Sequence, residues 1–214
     1  MVRKPDVVVV TGTGTVRAIP DLAVLSLAVE VRHAGLQGCY SGAAAAATRV
    51  VEAVTSLGIA RADVRTTGLS LRSETVWREQ SGQQVVAYVA TTGLTVVVRE
   101  LARAPEVLDA VVRSGGEALR VHGLALEVSD AKQAAAAAQA GAFDDARDAA
   151  ERLAAKAGRE LGEVVRIDAA PHVLPGPPIP MARVALASST EAMPVEAGET
   201  EISSSVTVTW RLRD

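Results

Sequence analysis

Aromatic side chains are scarce in this chain: two Trp, two Tyr and one Phe among 214 residues. Binders of single-stranded nucleic acid stack bases on such rings, and those platforms are missing here. A net charge of −3 and a pI near 5.7 give no electrostatic reason to bind nucleic acid either. The lone cysteine, Cys39, excludes an internal disulfide. No run approaches the roughly 20 apolar residues of a membrane-spanning helix. The charged start, Met1 to Asp6, precedes an apolar run, Val7 to Val10, that falls short of the about 7–15 residues of a signal-peptide core. A soluble, cytoplasmic chain is therefore expected, although a chain trimmed of its leader, periplasmic or attached to the cell envelope, would read the same way. No Gly-Lys-Ser/Thr sequence occurs, so a P-loop is out.

What the chain does have is alanine and valine. Apolar residues make up 49% of it, enough for a core built from Ala, Val and Leu. Its organising stretch runs from Ser129 to Gly158 and predicts one long helix, about residues 130–157. Asp130 is a good N-cap, and Gln133 completes a capping box. The Ala-rich run behind them favours the helix at every position. Phe143, Ala146, Ala150, Leu153 and Ala157 fall on one face at spacings of three and four, while Asp144, Asp148, Glu151 and Arg152 take the other. Gly158 stands where a left-handed residue would end the helix, a rod of roughly 40 Å.

Around it the pattern is that of strands. Val7 to Arg17 and Leu22 to Arg32 both read as strands, the second alternating with period two. Their short link, Ile19-Pro20-Asp21, predicts that they pair antiparallel. A turn over Gly35 to Gly38 leads into a helix, Tyr40 to Leu57, closed by Gly58. Asp63 to Trp77 and Gln84 to Arg99 form a hairpin about the polar segment between them. Pro105 to Ser114 is a shorter helix, and Leu119 to Val128 a strand that feeds the long one. Gly162 to Ala169 and Ile202 to Leu212 are the last two strands. The Pro-rich stretch between them, 171–198, reads as a loop anchored at both ends. Val173, Leu174, Ile179, Met181, Val184 and Leu186 on this loop are candidate contacts between subunits.

Several motifs invite chemistry, and each has a plainer explanation. Gly12-Thr13-Gly14 follows a Val-rich strand, but a dinucleotide fingerprint needs a third glycine at 17, where Arg stands, and a helix to follow. A bulge or the close approach of another backbone accounts for the glycines better. Ser129-Asp130-Ala131-Lys132 matches an S-x-x-K nucleophile motif without its S-D-N and K-T-G companions. The cap of the long helix explains it. His33, His122 and His172 lack metal-ligand spacing, so no metal or other cofactor is expected. Cys39 reads as a small core residue. The carboxylates Asp144, Asp145, Asp148 and Glu151 lie within helical reach of Arg147 and Arg152, as on a solvated face.

The order of these segments and several short sequences resemble the SIMPL domain family, which includes bacterial oxidative-stress defence proteins and periplasmic immunogenic proteins. The stretches that carry the resemblance are Gly12-Thr13-Gly14 through Pro20-Asp21, then Leu57-Gly58-Ile59 with Asp63-Val64-Arg65-Thr66, and the strand centred on Tyr88. Further on they are Gly123 to Asp130, the Ala-rich helix with Leu161-Gly162, and Pro194-Val195-Glu196-Ala197-Gly198. The resemblance implies a single α+β domain over 7–213, with long antiparallel strands and helices packed on the sheet. It also implies a homo-oligomer and offers no catalytic residue to carry over. Many members are exported or lipid-anchored, and this chain departs from them in lacking a leader. The leading expectation is a non-enzymatic, self-assembling protein of stress defence or envelope maintenance. A binding module for a peptide or small apolar ligand is the alternative, and a serine hydrolase-type enzyme the third.

Overall fold

The computed structural model of the chain describes residues 6–80, 82–169 and 195–214. In order the elements are β1 (Val7–Ala18), β2 (Leu22–His33), α1 (Leu36–Ser56), β3 (Val64–Arg78), β4 (Gly82–Val98), α2 (Ala104–Gly115), β5 (Leu119–Glu127), α3 (Ala131–Lys156), β6 (Glu160–Ala169) and β7 (Thr200–Arg213). All strand pairs are antiparallel and the helices pack on the sheets, so the fold class is α+β as expected. The chain divides into two compact units, one holding β1, α3, β6 and β7 and the other β2 to β5 with α1 and α2.

The first unit is a three-stranded sheet in the order β1-β7-β6. One face of β7, comprising Ile202, Ser204, Val206, Val208 and Trp210, is buried, the period-two pattern read from the sequence. The long helix α3 lies over β1 and β7 and barely touches β6. Asp130 caps it, Oδ1 accepting the Gln133 N–H at 3.0 Å. At the other end Gly158 takes φ +69°, and Arg159 N–H reaches back to Ala154 O at 3.0 Å, the Schellman closure.

The buried face of α3 differs from the expected one. It is a stripe of Ala135, Ala138, Ala142, Ala146, Ala150 and Ala154, while Leu153 is 50% exposed. Phe143 is half-buried, its ring 6.2 Å from that of Trp210. Leucine and alanine share the spacing, and the close seat on β1 decides between them. A stripe of methyl groups lets the helix approach where a leucine would hold it off.

The second unit is a four-stranded sheet ordered β3-β4-β2-β5. Leu25, Leu27 and Val29 of β2 and Leu94, Val96 and Val98 of β4 meet Ala46, Val50 and Val54 of α1 and Val107 and Val111 of α2. The β3–β4 hairpin forms as expected, Arg78 opposite Gly82 at its tip. Gly58, at φ +84°, closes α1.

Two expectations are corrected. β1 and β2 do not pair: β1 runs against β7, from Val7 opposite Arg211 to Ala18 opposite Thr200, and β2 lies between β4 and β5. The residue before a proline is pushed towards extended backbone, so Ile19 does not favour the tight reversal that a β1–β2 hairpin needs. Helix α1 begins at Leu36 and takes in Gly38, which had read as part of a turn. The His33 ring fills the space that a side chain at Gly38 would need, so a glycine is accommodated in the first turn.

Candidate functional site

Gly12 and Gly14 point at α3. A Cβ on Gly12 would collide with Ala142 O and Ala146 N, and one on Gly14 with Ala138 O and Ala142 N. The glycines serve close backbone approach, as their sequence implied. Between them the Thr13 N–H donates to Asp145 Oδ2 at 2.9 Å. Asp145 therefore leaves the solvated carboxylate face to occupy a donor on the free edge of β1, while Arg147 and Glu151 pair along the helix at 3.0 Å.

Two of the other sequence candidates make structural contacts. Cys39 is fully buried, its Sγ donating to Val31 O at 3.1 Å. His33 Nδ1 accepts the Gly35 N–H at 2.9 Å, which fixes the entry to α1. Ser129 and Lys132 are both exposed at the start of α3. No group of three metal-binding side chains occurs among the described residues. Val173, Leu174, Ile179, Met181, Val184 and Leu186 lie outside the described residues, as does His172.

Two surface features of the second unit remain. One is an ion pair: Arg99 Nε and Nη2 donate to the two oxygens of Asp63 at 2.8 and 2.6 Å. That fork holds the Asp63 carboxyl below its ordinary pKa, against an opposing push from burial. Grooves of about 260 and 310 Å³ lie beside it, and Asp63 and Val97 line both. Nearby, Arg103 Nη2 donates to Leu57 O at 2.5 Å and satisfies a carbonyl at the end of α1. The mixed lining of Arg, Asp, Glu and Val suits a small polar ligand.

The second feature is the outer side of the β3–β4 hairpin. On β3 only Val64 and Glu74 are even half-buried. Leu69, Leu71, Val76, Trp77 and Val85 are all exposed, Trp77 by 76%. Pairing of β2 with β4 stops at His33 opposite Tyr88, and the hairpin continues as two strands to Arg78 and Gly82. A two-stranded ribbon is marginal in water by itself. The sequence reading assigned these strands without seeing their exposure. The available signal was β3 itself, where Arg65, Leu69, Leu71, Arg72, Glu74 and Trp77 leave neither face consistently apolar.

The sequence pattern of the SIMPL family, described as a protein of unknown function, matches residues 8–210 and so spans both units. The chain belongs to the SIMPL family. Among its relatives, the 26 kDa periplasmic immunogenic proteins of Brucella melitensis and Brucella abortus are 30% identical over 100% of this chain and 87% of their own length. The uncharacterized protein YggE of Escherichia coli K12 is 29% identical over 90% of this chain and 75% of its own. These relatives correct the cytoplasmic expectation, because the Brucella proteins, similar to this chain along all of it, are named as periplasmic. Val7 to Val10 begin strand β1, so this run bears on the fold and not on location. No described helix is long and apolar enough to cross a membrane.

Proposed function

We propose that this SIMPL protein is a non-enzymatic, self-assembling protein of the periplasm with a part in stress defence or envelope maintenance. The observation that carries the assembly reading is the exposure of large apolar side chains on the β3–β4 hairpin. Leu69, Leu71, Trp77 and Val85 stand in water on a ribbon that its own unit does not cover. Exposed large apolar side chains gathered on one hairpin favour a contact site. The periplasmic part draws on the printed names of the Brucella relatives, and the stress part on the family resemblance.

A second reading, a binding module, draws on the two grooves beside the Asp63–Arg99 pair. At about 260 and 310 Å³ they reach only the lower end of the range for small-molecule sites, roughly 300–1,000 Å³. Assembly is therefore the better supported.

Light scattering coupled to size exclusion tests the proposal. The expected mass is a multiple of the 22.1 kDa chain, and Leu71→Glu or Trp77→Ser lowers it without loss of secondary structure. Trp77 is exposed and Trp210 buried, so assembly shifts the emission and reduces the quenching of Trp77 alone. A 22.1 kDa particle at every concentration overturns the assembly reading. In a strain lacking the protein, survival under peroxide should return with the parent chain and not with Leu71→Glu.

A further inference from the structure

Helices α1 and α2 pack on one face of the second unit's sheet. Leu25 of β2 and Val96 and Val98 of β4 turn towards them. Val24, Thr95 and Val97, one position away on the same strands, therefore turn to the opposite face. All three are only half-buried, and together they floor the groove of about 310 Å³. Its rim is charged: Arg65 enters from β3 and Glu127 from β5, the two edge strands of the sheet. Asp63 lines it as well, its carboxylate held by Arg99. All of these residues belong to the second unit.

The partners of these charges decide what each groove can take. In the neighbouring groove of about 260 Å³ the arginines are occupied, Arg99 by Asp63 and Arg103 by Glu106 and the Leu57 carbonyl. In the groove on the sheet face, Arg65 and Glu127 have no ion-pair or side-chain hydrogen-bond partner among the described residues, and they stand too far apart to pair with each other.

A free cation and a free anion on opposite rims are complementary to a molecule that carries both charges at a distance. β3 and β5 are three ladder steps apart, about 14 Å between backbones, and the two side chains shorten that gap from either edge. A single amino acid holds its ammonium and carboxylate on one carbon, too close together to reach both rims. An extended dipeptide spans about 7 Å. The volume of about 310 Å³, at the lower end for small-molecule sites, suits a ligand of that size and not a long peptide.

We propose that this groove binds a dipeptide with both ends free, its carboxylate on Arg65 and its ammonium on Glu127. The Arg65 guanidinium offers a planar fork of N–H donors that matches a carboxylate, and the Glu127 carboxylate accepts from the ammonium. The Thr95 hydroxyl donates to or accepts from the peptide group between them, while Val24 and Val97 lie beneath an apolar side chain. Arg65 and Glu127 are both exposed, so each contact is weak by itself and the ligand is held only when both form. The proposal rests on the binding-module reading above and names its ligand. It involves none of the hairpin side chains assigned to assembly.

Saturation-transfer NMR on the full chain tests this with alanyl-leucine, N-acetyl-alanyl-leucine, alanyl-leucine amide and free leucine as probes. Alanyl-leucine should bind with a Kd below about 1 mM, and blocking either end should weaken it at least tenfold. Arg65→Gln should weaken alanyl-leucine at least tenfold and leave the amide, which has no carboxylate, unchanged. Glu127→Gln should weaken alanyl-leucine equally and leave the acetylated peptide unchanged. Both side chains are exposed, so circular dichroism and molar mass of the variants should match the parent. No transfer to alanyl-leucine at ten times that concentration would remove the binding-module reading and the dipeptide together. Equal affinity for the free and blocked peptides would leave the groove as a binding site and overturn recognition of the two ends. Leucine bound as tightly as alanyl-leucine would overturn the two-residue span. Full affinity for alanyl-leucine in either variant would place the site elsewhere and overturn the proposal.

Discussion

The Thr13 N–H donates to Asp145 Oδ2 at 2.9 Å, and this bond ties the edge of β1 to the middle of α3. It is possible because Gly12 and Gly14, on either side of Thr13, let the helix backbone come within contact of the strand backbone.

Glycine is therefore required at both positions. Gly14→Ala should cost more than the about 1–3 kcal/mol of ordinary overpacking, because the new methyl meets backbone atoms that cannot rotate away. Gly68→Ala on β3 is the control: nothing lies within 4 Å of its Cβ position, so stability should stay within about 1 kcal/mol of the parent. Urea midpoints measure both. An unchanged midpoint for Gly14→Ala would mean that α3 does not sit on β1.

Leu153 and Leu25 should respond differently to truncation. Leu25 is fully buried on β2, and Leu25→Ala should cost about 2–5 kcal/mol. Leu153 is half exposed on the flank of α3, so Leu153→Ala should cost under about 1 kcal/mol, softened further by the better helix propensity of alanine. Equal losses would place Leu153 in a core after all.

Ser204 is the one buried side-chain oxygen among the described residues without a hydrogen-bond partner. It stands opposite Gly14 on the covered face of β7. An unpaired buried hydroxyl is costly, so Ser204→Ala should raise stability, by about 1 kcal/mol. A lower melting temperature for this variant would show that the hydroxyl has found a partner.

The Asp63–Arg99 pair gives stability a dependence on pH. The folded pKa of Asp63 is depressed, first by the Arg99 hydrogen bonds, so the unfolded chain takes up the proton more readily. The stabilisation is present above the ordinary carboxylate pKa and is lost as pH falls through that value towards the folded one. Asp63→Asn should flatten this part of the stability profile. Arg99 is two-thirds exposed, so added salt should shrink the effect in the parent. A parent and an Asp63→Asn variant with parallel acid profiles would show that the pair is not formed.

The local elements of this protein were legible because their determinants are local. Asp130 with Gln133 caps α3, Gly58 and Gly158 close their helices, and alternating Ile202 to Trp210 sets the face of β7. Each of these rests on neighbours a few residues away. The resemblance to the SIMPL family was legible for a related reason, since it lies in short stretches whose order the chain preserves.

Tertiary structure decided the rest, through contacts between residues far apart in the chain. Thr11 and Thr207 face each other in the β1–β7 ladder with side-chain oxygens 2.7 Å apart, and no local pattern marks that partnership over one with β2. Asp145 looked like one of several solvated carboxylates until α3 was seated on two glycines that only the fold brings beneath it. Leu153 had the spacing of a core residue and lost the place to Ala154, because a close seat favours the smaller side chain. The exposure of Leu69, Leu71 and Trp77 depends on where the helical layer ends, and that boundary is set by the packing of α1 and α2 on β2 and β4.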